Sequence, residues 1–388
     1  MADPYRTRWP RDWRLAPALA PDAGPANPAD GAAFAGEGPG ASDRSRTGTG
    51  ERLARRMFEF GRELKKLFGA APDTEDLGWL ELIGPELLAR EARTQCTDAG
   101  RVSCAKPFIC WMRGVILWRE HARRTGASDS LNRAFTAAGD ARRAARTPDE
   151  TVRADIETAL CLMARFDLCG GVATLDLAVQ TAPEATTAQR STTAAALTAL
   201  HARLRLRQAR LARTPDILLR AAALMDTAIQ VVEADRAGPS DELRLERAGL
   251  ALEAGVMRRD ATLLDQAGRE LRRLVAAADP DRRPLARARA LTLCAAGLSA
   301  LAALAGDDAA HAQAKLLFEG AADQFTPDHS PLDWVAIQLA RSATPGAVSL
   351  TTLRQAEALG GGQSLVLGAL ARDRRLEVET RAAETARD

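Results

Sequence analysis

Residues 314–340 read AKLLFEGAADQFTPDHSPLDWVAIQLA, and the fold of the whole chain can be read outward from this stretch. Ala314, Phe318 and Ala321 recur at steps of four and three, so they share one face of a helix. A polar break follows, and Pro327 suits the opening turn of the next helix, where no backbone donor is needed. The same arrangement occurs upstream. Pro280-Asp281-x-x-Pro284-Leu285 and Pro327-Asp328-x-x-Pro331-Leu332 lie 47 residues apart. Ahead of Pro280 stand Ala267, Leu271 and Leu274, and ahead of Pro239 stand Met225, Ile229 and Val232, both sets at the same spacing. The small or flexible residue of each set lets a neighbouring helix approach, and the larger ones fill the gap.

Pro183, Pro239, Pro280 and Pro327 are each expected to open a helix, at intervals of 56, 41 and 47 residues, with Pro148 preceding the first by 35. Approximate recurrence of one helical unit is the signature of an array in which no unit can bury its apolar face alone.

These boundaries resemble the second helix and closing proline of a tetratricopeptide repeat. Residues 314–340 are similar to the long-period repeats of that family found in bacteria, in which an Ala/Phe helix leads into a Pro-Leu-Asp-Trp turn, here Pro331, Leu332, Asp333 and Trp334. The resemblance extends more weakly over 128–345. It implies an all-α, TPR-like α-solenoid of stacked antiparallel helix pairs, with Pro280, Pro284, Pro327, Pro331, Leu332 and Trp334 shaping the repeat turns. It also implies a curved inner surface, lined by the first helix of each pair, that receives an extended peptide or a helix. After Trp334 the family continues towards an Asn-Leu-Gly core, whereas this chain has Gln338, Leu339, Ala340, Arg341 and Ser342. The array is expected to end there in a degenerate capping unit.

Composition agrees with helices. Apolar residues are 46% of the 388, enough for a sizeable core, but aromatics are only 4%, which favours close-packed Ala/Leu helices over sheets. Basic and acidic residues number 53 and 51, and the net charge of +2 gives no whole-protein attraction to nucleic acid or anionic lipid. Pro17, Pro21 and Asp22 interrupt any apolar run after the first arginines, so no secretory signal is expected and the cytoplasm is the default location. The uncharged run Ala290 to Gly306 reads as a buried helix. Of the six cysteines, Cys110, Cys161, Cys169 and Cys294 sit in or beside apolar helical runs, where a free thiol acts as a small hydrophobe.

Residues 1–50, rich in Pro, Gly and Ala, are expected to form a disordered tail, with Tyr5, Trp9 and Trp13 interleaved among arginines. Residues 51–70 read as a basic amphipathic helix striped by Leu53, Met57, Phe60, Leu64 and Leu67. That helix could pack on its own domain, bind a partner, or lie on an anionic membrane surface through 51–68. An N-terminal helical capping region is expected over 74–127, with a loop between Thr97 and Pro107. The repeats follow over 128–345, and a C-terminal helical cap and polar tail over 346–388, in which Gly360 to Gly362 reads as a linker.

The most unusual charge feature is HARLRLRQARLAR, residues 201–213. Arg203, Arg207 and Arg210 share one face, and Leu197, Leu200, Leu204 and Leu211 form the core-facing stripe. No acid occurs between Glu184 and Asp216, so these arginines lack partners within their own helix. They either line a groove that grips carboxylates of an acidic partner, stay solvated, or pair with adjacent helices. Arg244, Arg247 and Arg287 are expected to extend the same surface.

Cys96, Cys104, Cys110 and His121 match no paired-ligand spacing for a metal. A disulfide from Cys96 to Cys104 is sterically feasible but needs an oxidising compartment. His121, His201, His311 and His329 are scattered, and no phosphate loop or nucleophile motif occurs, so neither an enzyme nor a cofactor is expected. The reading is a protein-protein interaction scaffold. A membrane-surface adaptor is the alternative, while a helical enzyme or a nucleic-acid binder has less in its favour.

Overall fold

The computed structural model describes residues 77–235, 240–343 and 348–385; the expected tail over 1–50 and amphipathic helix over 51–70 lie outside the described residues. Among the described residues the regular elements are all helical, with no strand. A 3-10 helix (Leu77–Leu82) leads into α1 (Pro85–Ala99), α2 (Pro107–Thr125), α3 (Ser128–Ala144), α4 (Pro148–Cys169) and α5 (Val172–Thr181). Then follow α6 (Ser191–Ala212), α7 (Pro215–Ala234), α8 (Asp241–Arg258), α9 (Ala261–Ala277) and α10 (Pro284–Ala305). The described helices end with α11 (Asp308–Ala322), α12 (Pro331–Ser342), α13 (Leu350–Gln363) and α14 (Leu365–Thr385).

Local chemistry sets these boundaries. Pro85, Pro107, Pro148, Pro215, Pro284 and Pro331 occupy first helical turns. Thr147 and Glu150 form a reciprocal capping box on α4, and Asp260, Asp307 and Ser349 cap α9, α11 and α13. Pro280 and Pro327 do not open helices as expected. The Asp279 side chain accepts from the amide of Asp281, and Thr326 Oγ1 from that of His329, making turns that hold each proline outside; α10 and α12 start at Pro284 and Pro331. After Pro183 only a short 3-10 helix, Ala185–Thr187, forms, and α6 itself starts at Ser191.

The interior is a series of apolar clusters, each built from three consecutive helices. Val152, Ile156 and Phe166 of α4 meet Leu175 of α5 and Leu197, Leu200 and Leu204 of α6. The next cluster takes Ala202, Leu206 and Ala209 from α6, Met225, Ile229 and Val232 from α7, and Leu243 and Leu250 from α8. Ala248 and Leu252 then join Leu264, Ala267 and Leu271 of α9 and Cys294 of α10, and Leu285 and Ala288 of α10 join Phe318 and Ala321 of α11 and Ile337 of α12. Each even-numbered helix from α4 to α10 thus has two apolar faces, one for the cluster before it and one for the cluster after.

Even-numbered helices also touch one another in sequence, α2 to α4, α4 to α6, α6 to α8, α8 to α10 and α10 to α12. The series returns on itself, since α12 touches α2 and α14 touches α4. Where α2 ends, Gly126 adopts φ 71°, and a Cβ there would run into the Gln363 carbonyl at the end of α13. Helix α10 is long and apolar enough to cross a membrane by length and composition; in this fold it packs against α8, α9, α11 and α12.

Gly360 to Gly362 is not a linker but the last turn of α13. A Cβ on Gly368 of α14 would come within 2.6 Å of Gly361 Cα, so the two backbones approach more closely than any other residue permits. Within the run only Gly360 would carry a Cβ against α14, 3.2 Å from Gly368 N, whereas Cβ atoms on Gly361 and Gly362 would meet nothing within 4 Å.

Candidate functional site: an axis of paired charges

The third face of α6 carries Arg203, Arg207 and Arg210. It lies between the two apolar faces, and its side chains reach carboxylates on the neighbouring even-numbered helices α4 and α8. Each arginine of the row has a carboxylate from a neighbouring helix. Arg203 donates from Nε to Glu246 at 2.9 Å and from Nη2 to Glu242 at 2.8 Å. Arg207 donates to Glu246 at 2.9 Å and, through Nε and Nη2, to both oxygens of Asp167 on α4 at 3.2 and 2.9 Å. Arg210 grips Glu253 through Nε and Nη2 at 2.9 and 2.5 Å.

The pattern continues round the axis. Arg119 of α2 pairs with Glu157 of α4 at 3.1 Å, Arg283 at the start of α10 with Asp241 of α8 at 3.0 Å, and Arg289 of α10 with Asp333 of α12 at 2.9 and 2.6 Å. Partners in these pairs are 38 to 44 residues apart, the length of one helix pair. One contact spans the ring: Arg123 Nη2 of α2 lies 3.9 Å from Glu242 Oε1 of α8.

Three further contacts close the ring. Arg124 is fully buried; it donates from Nε to Glu120 at 2.7 Å and caps the carbonyls of Ile83 and Leu80 at 2.8 and 2.7 Å. That holds the 3-10 helix, whose Glu81 accepts from Arg283 at 3.2 Å and from the amide of Ala286 in the first turn of α10 at 2.8 Å. His329 Nε2 donates to the Glu81 carbonyl at 2.9 Å. Glu81 therefore ties its own segment to two places, the start of α10 and the turn before α12, each more than 200 residues away in sequence.

Burial alone would raise the carboxyls of this axis, but the arginines outweigh it. Arg123 and Arg124 hold Glu120 at about 2, and Arg289 holds Asp333 at about 2. Glu242 and Glu246 are lowered in the same way, the first by Arg123 and Arg203, the second by Arg203 and Arg207. The arrangement keeps these groups charged and paired, which suits them to holding helices together and leaves none poised to exchange a proton near neutrality.

Exposure is graded along the row. The side chains of Arg203 and Arg207 are 18% and 11% exposed, whereas Arg210 and its partner Glu253 are 43% and 40% exposed. Glu242 is half exposed. Beside it a narrow cleft between α8, α9 and α10, lined by Asp241, Glu242, Leu274 and Arg289, has room for little more than a water molecule. Among the described residues, Arg203 and Arg207 are thus taken up by the chain's own ion pairs.

Arg244, Arg247 and Arg287 do not extend the row. At about 100° per residue, Arg244 and Arg287 fall on the far side of their helices from Glu242 and Arg289, and Arg247 is turned about 100° from Glu246. Arg244 pairs with Glu233 of α7, Arg247 with Asp226 of α7 and Glu270 of α9, and Arg287 caps the carbonyls of Val275 and Ala278 at the end of α9. Sequence reading passed over Glu120, Arg123, Glu242, Glu246 and Arg289. The signal for them is complementary charge one helix pair apart, legible only once that length is known.

Of the turn residues, Pro331 and Leu332 are buried at the start of α12, and Trp334 packs against the cluster around Phe318. Among the described residues no three His, Cys, Asp or Glu side chains converge as a metal site. His121 meets Ser130 Oγ at 2.9 Å, and His201 Nε2 donates to the Pro183 carbonyl at 3.0 Å. Cys161 and Cys294 are buried, Cys110 is partly buried, and Cys169, beside the apolar run of α4, is exposed at its end. No family model matches the chain, and no curated protein or solved structure matches it.

Proposed function

We propose that the chain is a non-catalytic interaction scaffold, built as a tetratricopeptide-like α-solenoid of antiparallel helix pairs, and that it binds an acidic segment of a protein partner at the exposed end of its axial charge row. The observation that supports this reading is the gradient along α6. Arg203 and Arg207 are each held by two carboxylates and largely enclosed, while Arg210 has one partner and stands open to water. A guanidinium offers more donors than one carboxylate can take, so Arg210 can accept a second carboxylate without breaking the pair with Glu253. The enclosed pairs carry the architecture, and the open pair carries recognition.

Charge reversal separates the two roles. Arg210→Glu should remove the proteins cross-linked to the full chain in its own cells while leaving its thermal melt unchanged. Arg203→Glu should instead lower the melting temperature. An unchanged set of cross-linked proteins for Arg210→Glu contradicts the binding assignment.

A further inference from the structure

Cys104 and Cys110 lie six residues apart, the first on the exposed loop after α1 and the second in the opening turns of α2, and their sulfurs stand 3.9 Å apart. Both are free thiols and neither is fully buried. The other candidate partner, Cys96, is turned instead towards Gly114 of α2, where a Cβ would meet its sulfur at 2.5 Å. A disulfide needs the two sulfurs about 2 Å closer. The loop can supply that movement, because Arg101, Val102, Ser103, Ala105 and Lys106 around Cys104 are all exposed, while Phe108 anchors α2 in the core.

We infer that Cys104 and Cys110 form a reversible dithiol-disulfide pair, a redox modification site whose oxidant is a low-molecular-weight disulfide. Cys104, carried on the exposed loop, meets the oxidant first. Its thiolate attacks one sulfur of the small disulfide, forming a mixed disulfide and releasing one small thiolate. The Cys110 thiolate then attacks the Cys104 sulfur, closing the protein disulfide and releasing the second small thiolate. Two protein thiols are oxidised, one small disulfide is reduced to two thiols, and the two protons lost by the cysteines end on those thiols. Burial and the neighbouring Cys104 push the Cys110 thiol up to about 11, so the closing step is slow at neutral pH and quickens in alkali.

The test incubates the full chain with oxidised glutathione at mildly alkaline pH, blocks remaining thiols with a maleimide, and reads tryptic peptides by mass. Cys104 and Cys110 share the peptide 102–113, since the Lys106-Pro107 bond resists trypsin. The expected result is that this peptide becomes lighter by two hydrogen atoms, escapes the maleimide, and regains both thiols on reduction. Exposed Cys169 should carry glutathione and report that the oxidant was active. In Cys110→Ser the glutathione should remain trapped on Cys104. Recovery of wild-type 102–113 with separate glutathiones or with two maleimides, while Cys169 has reacted, overturns the pairing. An unreacted Cys104 in Cys110→Ser overturns its role as the entry thiol.

Discussion

Arg203 and Arg210 stand two turns apart on the same side of α6, yet their surroundings differ. Arg203 bridges Glu242 and Glu246 at 18% exposure, whereas Arg210 holds Glu253 alone at 43%. The chemistry is the same and the solvent is not. An enclosed pair that loses one member leaves an uncompensated charge away from water, while an exposed one is simply rehydrated. A single row of arginines can therefore be architecture at one end and a contact surface at the other.

The enclosed side should break most severely at Arg124. Replacing it with Met strands the carbonyls of Leu80 and Ile83 and removes one of the two arginines on Glu120. The expected loss is about 3–5 kcal/mol by chemical denaturation. Acid should act on the same region. Glu120 and Asp333 lie at about 2, below their ordinary values of 4.5 and 3.8, so their contribution is complete above those values and disappears as pH falls towards 2. Each is expected to contribute on the order of 2–3 kcal/mol, read as denaturation midpoints that fall steeply across that window and stay level above pH 5. Arg203→Met should cost about 2–3 kcal/mol, chiefly because the enclosed Glu246 loses a partner while half-exposed Glu242 is rehydrated. Arg210→Ala, two turns along, should cost about 0.2–1 kcal/mol. Equal losses at the two positions would erase the distinction.

Much of the fold was legible in the sequence and less of the site. Ala267 and Leu271, Ala314 and Phe318, and Met225 and Ile229 reveal helices with one face fully buried, as their spacing required. Helix α6 was harder. Leu197, Leu200 and Leu204 read as its single apolar stripe, but Ala202, Leu206 and Ala209 form a second one, since the helix serves two clusters at once. The arginines were rightly seen to lack partners within their own helix. Their carboxylates come from helices about 40 residues away, a pairing that no local window contains. Arg244, Arg247 and Arg287 failed for an angular reason: they stand one or two residues from Glu246, Glu242 and Arg289 in sequence, yet are turned about 100° or more away from them round their helices. Gly360 to Gly362 failed because composition cannot distinguish a flexible segment from a close contact between backbones.

The central claim is that the series of helices closes on itself through charge. Glu81 and Arg283 are 202 residues apart and meet at 3.2 Å only if that closure exists. Glu81→Ala and Arg283→Ala should be measured singly and together by urea denaturation. Closure predicts a coupling energy of at least about 1 kcal/mol between them. Additive losses, with no coupling, would contradict it.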